Sequence, residues 1–109
     1  MNEKSPLAAW PANIAGMVDY QAGSIVSRSL VDGKNGSITL LAFDAGQELS
    51  EHTAPFDAFV EVLDGAAEIT LSGRGMTARA GEAVIMPAGE PHSLRAPRRF
   101  KMLLVMVKS

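Results

Sequence analysis

From Ser24 to Val107 the chain runs in short stretches of period-two alternation, each closed by glycine, proline or both. Successive side chains of a strand point to opposite faces, so this pattern predicts half-buried strands rather than helices. Residues 24–30 and 37–43 flank Asp32-Gly33-Lys34-Asn35-Gly36, where two glycines can take the positive φ a tight hairpin needs. Residues 59–63 and 67–71 flank Asp64-Gly65, a second turn of the same chemistry. Ser72-Gly73-Arg74-Gly75 leads into 76–80, Ala80-Gly81-Glu82 into 83–86, and Pro87-Ala88-Gly89-Glu90-Pro91 into 92–95, with a last run over 100–107. Short strands at this spacing predict an all-β barrel or sandwich over residues 24–109, preceded by an arm over 1–23 with room for a helical turn within its first 20 residues.

Two of these strands are apolar on both faces. Ile38, Leu40 and Ala42 oppose Leu41 and Phe43, while Met102, Leu104 and Met106 oppose Leu103, Val105 and Val107. Such strands need cover on both sides. The outer cover is expected from the arm, with Trp10, or from a second subunit. We expect a homodimer, because each uncovered side chain forgoes about 25 cal/mol per Å² of apolar burial.

Composition removes several function classes. The formal net charge is −2, so the chain lacks the basic footprint of a nucleic-acid binder. Its one basic cluster, Arg95, Arg98, Arg99 and Lys101, reads as a solvated loop, and Lys108 as a free terminal side chain. No apolar run approaches the roughly 20 residues of a membrane span, and the apolar segment after Lys4 is broken by Pro6 and Pro11, too early for a secretory signal. Cysteine is absent, which excludes disulfides, thiolate catalysis and Cys-ligated zinc and fits a cytoplasmic location. No Gly-x-Ser-x-Gly elbow or phosphate-binding glycine loop occurs, and Asp57, Glu61 and Glu68 read as solvated strand positions rather than a carboxylate pair.

The two histidines each close a spaced glycine pattern. Gly46 precedes His52, and the pattern continues through Val60 and Val62 to Gly65; Gly81 precedes Pro87, Ala88, Gly89 and His92. Together these patterns resemble the two motifs of the cupin superfamily, over roughly residues 24–107. The resemblance implies a small double-stranded β-helix, or jelly-roll barrel. It also implies a role for both histidines, whose counterparts in metal-binding cupins hold a divalent ion together with residues at the positions of Ala54 and Ala58. Alanine cannot coordinate. The second motif agrees at every defined position but the last, where Ala96 replaces a frequent Asn.

Period two puts His52, Ala54, Phe56, Ala58, Val60 and Val62 on one face and Glu51, Asp57 and Glu61 on the other. Asp57 is the best candidate for a third metal ligand, brought inward by a bulge that Pro55 favours; Gln47, Glu48 and Met86 are weaker ones. The methionines read as core fillers. The reading that follows is a barrel interior with His52 and His92 set among Phe56, Val60 and Met86, an apolar pocket with convergent polar groups for a small organic ligand. The alternative is a divalent-metal-dependent enzyme of dioxygenase or isomerase type acting on a small oxygenated substrate, with His52 and His92 as ligands. A third reading gives the histidines only structural hydrogen bonds and the chain an accessory, subunit-like role.

Overall fold

A computed structural model describes residues 9–108. Nine strands occur among them: β1 (Ile25–Gly33), β2 (Gly36–Phe43), β3 (Glu48–His52), β4 (Asp57–Asp64), β5 (Ala66–Leu71), β6 (Arg74–Arg79), β7 (Ala83–Met86), β8 (His92–Arg95) and β9 (Phe100–Val107). They form two antiparallel sheets, one of five strands in the order β1-β2-β9-β4-β7 and one of four in the order β3-β8-β5-β6. This is the jelly-roll arrangement that the glycine and histidine patterns imply.

The sequence left β3 unassigned, and its composition explains why. In Glu48-Leu49-Ser50-Glu51-His52 only Leu49 is apolar and turns to the core, while this edge strand pairs with β8 alone. An edge strand wet on one side carries little alternation to detect. The same region corrects a second expectation. The face drawn continuously from His52 to Val62 is interrupted, because β3 ends at His52 and β4 begins at Asp57. Ala54 and Phe56 therefore lie in the connection around Pro55, not on a strand.

Between the sheets lie Phe43, Phe100, Ile69, Met102, Val60 and Val62, all fully buried. Each such side chain contributes about 1.5–3 kcal/mol of burial. Phe43 and Phe100 face each other across the β2–β9 pair and stack with ring centroids 4.4 Å apart. Phe100 fits because Gly65 stands beside it: Gly65 has φ +74°, and a Cβ there would strike the Arg99 carbonyl and the Phe100 side chain.

The five-stranded sheet is covered on its outer face too, as its doubly apolar strands require. Val18, Leu30, Leu40 and Ala42 form a second buried cluster, with Ile14, Met17, Tyr20, Leu63 and Leu103 packed around it. The cover is supplied by the segment around a 3-10 turn at Ile14–Met17. Trp10 takes no part among the described residues and is 74% exposed. Polar contacts fasten this arm: Lys101 Nζ donates to the Ala15 carbonyl at 2.6 Å and Arg28 Nη1 to that of Met17 at 3.0 Å. The Tyr20 hydroxyl donates to Asp64, and its ring lies under the Arg99 guanidinium and the Lys101 ammonium, at 4.2 and 5.1 Å. The basic cluster is thus not simply a solvated loop. Arg99 and Lys101 hold the arm, and Arg95 pairs across strands with Glu68 at 2.6 Å, an exposed ion pair on the strand position expected for Glu68.

The arm does not cover the whole outer face. A cross-strand row of Val31, Ile38, Val105, Phe59 and Ile85 continues beyond it. Its two ends, Val31 and Ile85, are 43% and 61% exposed.

Candidate functional site

Both histidines belong to the four-stranded sheet, His52 at the last position of β3 and His92 at the first of β8. They are direct cross-strand partners, after a register irregularity between Leu49 and His52. Opposed residues of a pair share a face, and the rings meet edge to face with centroids 4.3 Å apart. His92 is 5% exposed, whereas His52 is open to solvent at the rim.

Each imidazole is held from behind by the backbone. His52 Nδ1 lies 2.8 Å from the Ser50 carbonyl oxygen and His92 Nδ1 lies 3.1 Å from that of Glu90. A carbonyl oxygen only accepts, so both Nδ1 atoms carry the proton, and Nε2 of each neutral ring keeps its lone pair. The Glu90 side chain is engaged elsewhere, accepting from Ser72 Oγ at 2.8 Å.

Opposite the histidines, the five-stranded sheet presents one row on its inner face: Met86 on β7, Ala58 on β4, Met106 on β9 and Ser37 on β2. Leu71 completes the end from β5, as the cross-strand partner of His92. Ala58 and Met86 are buried, while Leu71 and Met106 are only partly so. Ser37 is 8% exposed, and its hydroxyl has no hydrogen-bond partner among the described residues. One row deeper, Val60 is fully buried, but its neighbours Leu104 and Val84 are not. Phe56 is half-buried in the β3–β4 connection, and Lys108 Nζ lies 5.4 Å from its ring centre, so Lys108 is not free.

His52, His92 and Met86 are therefore brought to one end of the barrel, with Phe56 in the connection above and Val60 behind. Sequence reasoning missed Ser37, Leu71 and Met106. The signal for Ser37 was a hydroxyl at an inward parity position of a doubly apolar strand, a position it shares with Thr39. Asp57 is not delivered: it pairs in register with Val107, and its Oδ1 accepts from the Ala88 amide at 2.9 Å. The bulge that would turn it inward is absent there, and the irregularity lies in β3 instead. A surface cleft of about 480 Å³, lined by Asp64, Gly65, Thr77, Arg98 and Arg99 among others, lies at the opposite end.

A small antiparallel jelly-roll of two packed sheets defines a class of β-barrel proteins. The chain belongs to the cupin family: the cupin domain model matches residues 39–108. A conserved protein of unknown function from Streptococcus pyogenes is 39% identical and superposes with TM-score 0.88, over 93% of this chain and 89% of its own. A cupin 2 conserved barrel domain protein from Leptotrichia buccalis is 41% identical with TM-score 0.86, over 89% of this chain; the match spans about half, 47%, of that protein. A cupin superfamily protein from Desulfitobacterium hafniense, 23% identical with TM-score 0.82, covers 100% of this chain and 94% of its own and shares the fold. No curated protein matches the sequence.

The divalent ion that the family implies does not fit the side chains present. Among the described residues no three His, Cys, Asp or Glu side chains are grouped to hold a metal, and the two positions that would complete the set are Ala54 and Ala58. Two imidazoles alone supply half of a four-ligand shell.

Proposed function

We propose that this cupin domain binds a small organic molecule at the barrel end marked by His52 and His92. The observation that supports this reading is the unused polar chemistry there: among the described residues both Nε2 atoms lack a protein partner, at the barrel end that also holds half-buried Met106 and Leu71. A concave, largely apolar surface with a few convergent polar groups is the usual form of a small-molecule site. His52, His92, Phe56, Val60 and Met86 are the contacts we assign. No reaction is assigned. A fragment screen by NMR tests the reading: compounds that bind shift the ring signals of both histidines, and His92→Ala abolishes the shift at His52. A screen in which no compound moves either histidine overturns it.

A second reading, a divalent-metal-dependent enzyme, draws on the backbone hold at both Nδ1 atoms, which is how ligating histidines are oriented. Elemental analysis of protein purified without an affinity tag separates the two. A full equivalent of metal, lost in His52→Ala, would establish the second reading; less than about a tenth of an equivalent at saturating supply removes it.

We further propose that two copies associate through the exposed outer row that includes Val31 and Ile85. A larger apolar face is expected to be buried in a stable homodimer. Sedimentation at micromolar concentration tests this, and a monomer that persists there removes it. No helix among the described residues is long and apolar enough to cross a membrane.

A further inference from the structure

We infer that the group bound at the histidine pair is a hydrogen-bond donor, a neutral hydroxyl rather than a carboxylate, and that Ser37 is the second polar anchor across the barrel. The inference rests on the pocket reading above and gives it a ligand class. The carbonyls of Ser50 and Glu90 take up the Nδ1 protons at 2.8 and 3.1 Å, so each neutral imidazole offers a lone pair at Nε2. With the centroids 4.3 Å apart, the two rings place both acceptors at the same end of the barrel. A carboxylate brings only acceptors of its own, and against neutral rings it leaves the lone pair of buried His92 desolvated and unpaired. A hydroxyl brings the proton that the site lacks.

Ser37 adds an independent observation. Its hydroxyl is buried, unpartnered and on the inner face of β2, in one cross-strand row with Met106, Ala58 and Met86. Buried hydroxyls are almost always paired, so an orphan on the inner face at this end of the barrel points to a partner that arrives with the ligand. Packed sheets stand roughly 10 Å apart, so histidines on one sheet and Ser37 on the other are spanned by a short apolar body with a hydroxyl at each end. Met86, Met106 and Ala58 suit such a body, because thioether side chains adapt to irregular apolar shapes and Ala58 leaves room.

Two measurements test this. In long-range proton–nitrogen NMR spectra of the neutral protein, both histidines are expected as the Nδ1–H tautomer; an Nε2–H tautomer at either ring overturns the donor reading. The second is a titration with primary alcohols, α,ω-diols and carboxylates from butyl to octyl length, followed at His92 and at the Ser37 amide. Alcohols are expected to bind at least about tenfold more tightly than carboxylates of equal length. Diols are expected to exceed the matching alcohols, and this gain is expected to vanish in Ser37→Ala. Carboxylates that bind as tightly as alcohols sink the ligand class and leave the pocket reading intact. A diol gain that is absent, or that survives Ser37→Ala, removes Ser37 from the site. If none of these probes moves either signal, the pocket reading falls and this inference with it.

Discussion

His52 and His92 are cross-strand partners in ring contact, yet one is open to water and the other is 5% exposed. The pair joins a rim residue to a core residue, so the same substitution has different consequences on its two sides.

His52→Ala is expected to change stability by less than about 0.5 kcal/mol, as for an exposed side chain. His92→Ala removes a buried ring and leaves its space empty, at a cost of about 1–3 kcal/mol. Urea unfolding of the two variants checks the asymmetry. Equal losses would mean that the rings act as one structural unit.

Ser37→Ala removes a hydroxyl that is desolvated without a partner. In ligand-free protein it is expected to raise stability by about 0.5–1 kcal/mol, or a few degrees in thermal midpoint. A loss greater than about 1 kcal/mol would show that the hydroxyl is satisfied by something bound.

Gly65→Ala meets two obstacles, a φ of +74° and the Arg99 carbonyl in the space its Cβ would take. It is expected to destabilise by more than about 1 kcal/mol, because the backbone that carries Phe100 must shift. Gly73→Ala is the control: it shares the positive φ but meets nothing within 4 Å, so it is expected to cost less. Calorimetry of both variants separates the contact from the conformation.

Tyr20 gives the arm a dependence on alkaline pH. Burial pushes its hydroxyl above the ordinary value of 10.0, and the hydrogen bond to Asp64 and that carboxylate's charge push the same way. A folded-state value above the unfolded one means that this contribution is complete below pH 10 and is lost as pH rises beyond it. Tyr20 is the only tyrosine in the chain, so absorbance at 295 nm follows it directly. Tyrosinate is expected to form well above pH 10, together with release of the arm; a normal titration would show that the arm is not seated.

The sequence and the structure agree most closely where a strand's environment is written in its own residues. Both faces of β2 and β9 are apolar; the inner one packs into the core, and the arm covers the outer one over Leu40, Ala42 and Leu103. β3 failed that test because it is a polar edge strand, recognisable only through its pairing with β8. Phe56 was placed on a strand because parity was carried through Pro55, where the ladder stops. The histidines were legible as a motif, but their contact depends on a register shift in β3 that no spacing encodes. Ser37 shows the limit most plainly. Its neighbours Met106, Ala58 and Met86 come from three different strands, and only the assembled sheet puts them in one row.

Strand β4 carries Ala58 at the histidine end of the barrel and ends at Asp64, which receives the Tyr20 hydroxyl. At about 3.3 Å per residue these two points stand roughly 20 Å apart. The barrel is therefore a molecule of two poles, with its fastening at one and its opening at the other. Changes at poles so far apart are expected to add independently. The arm can be exchanged, lengthened or tethered to a partner without retuning the site, and the site can be remodelled residue by residue without loosening the arm.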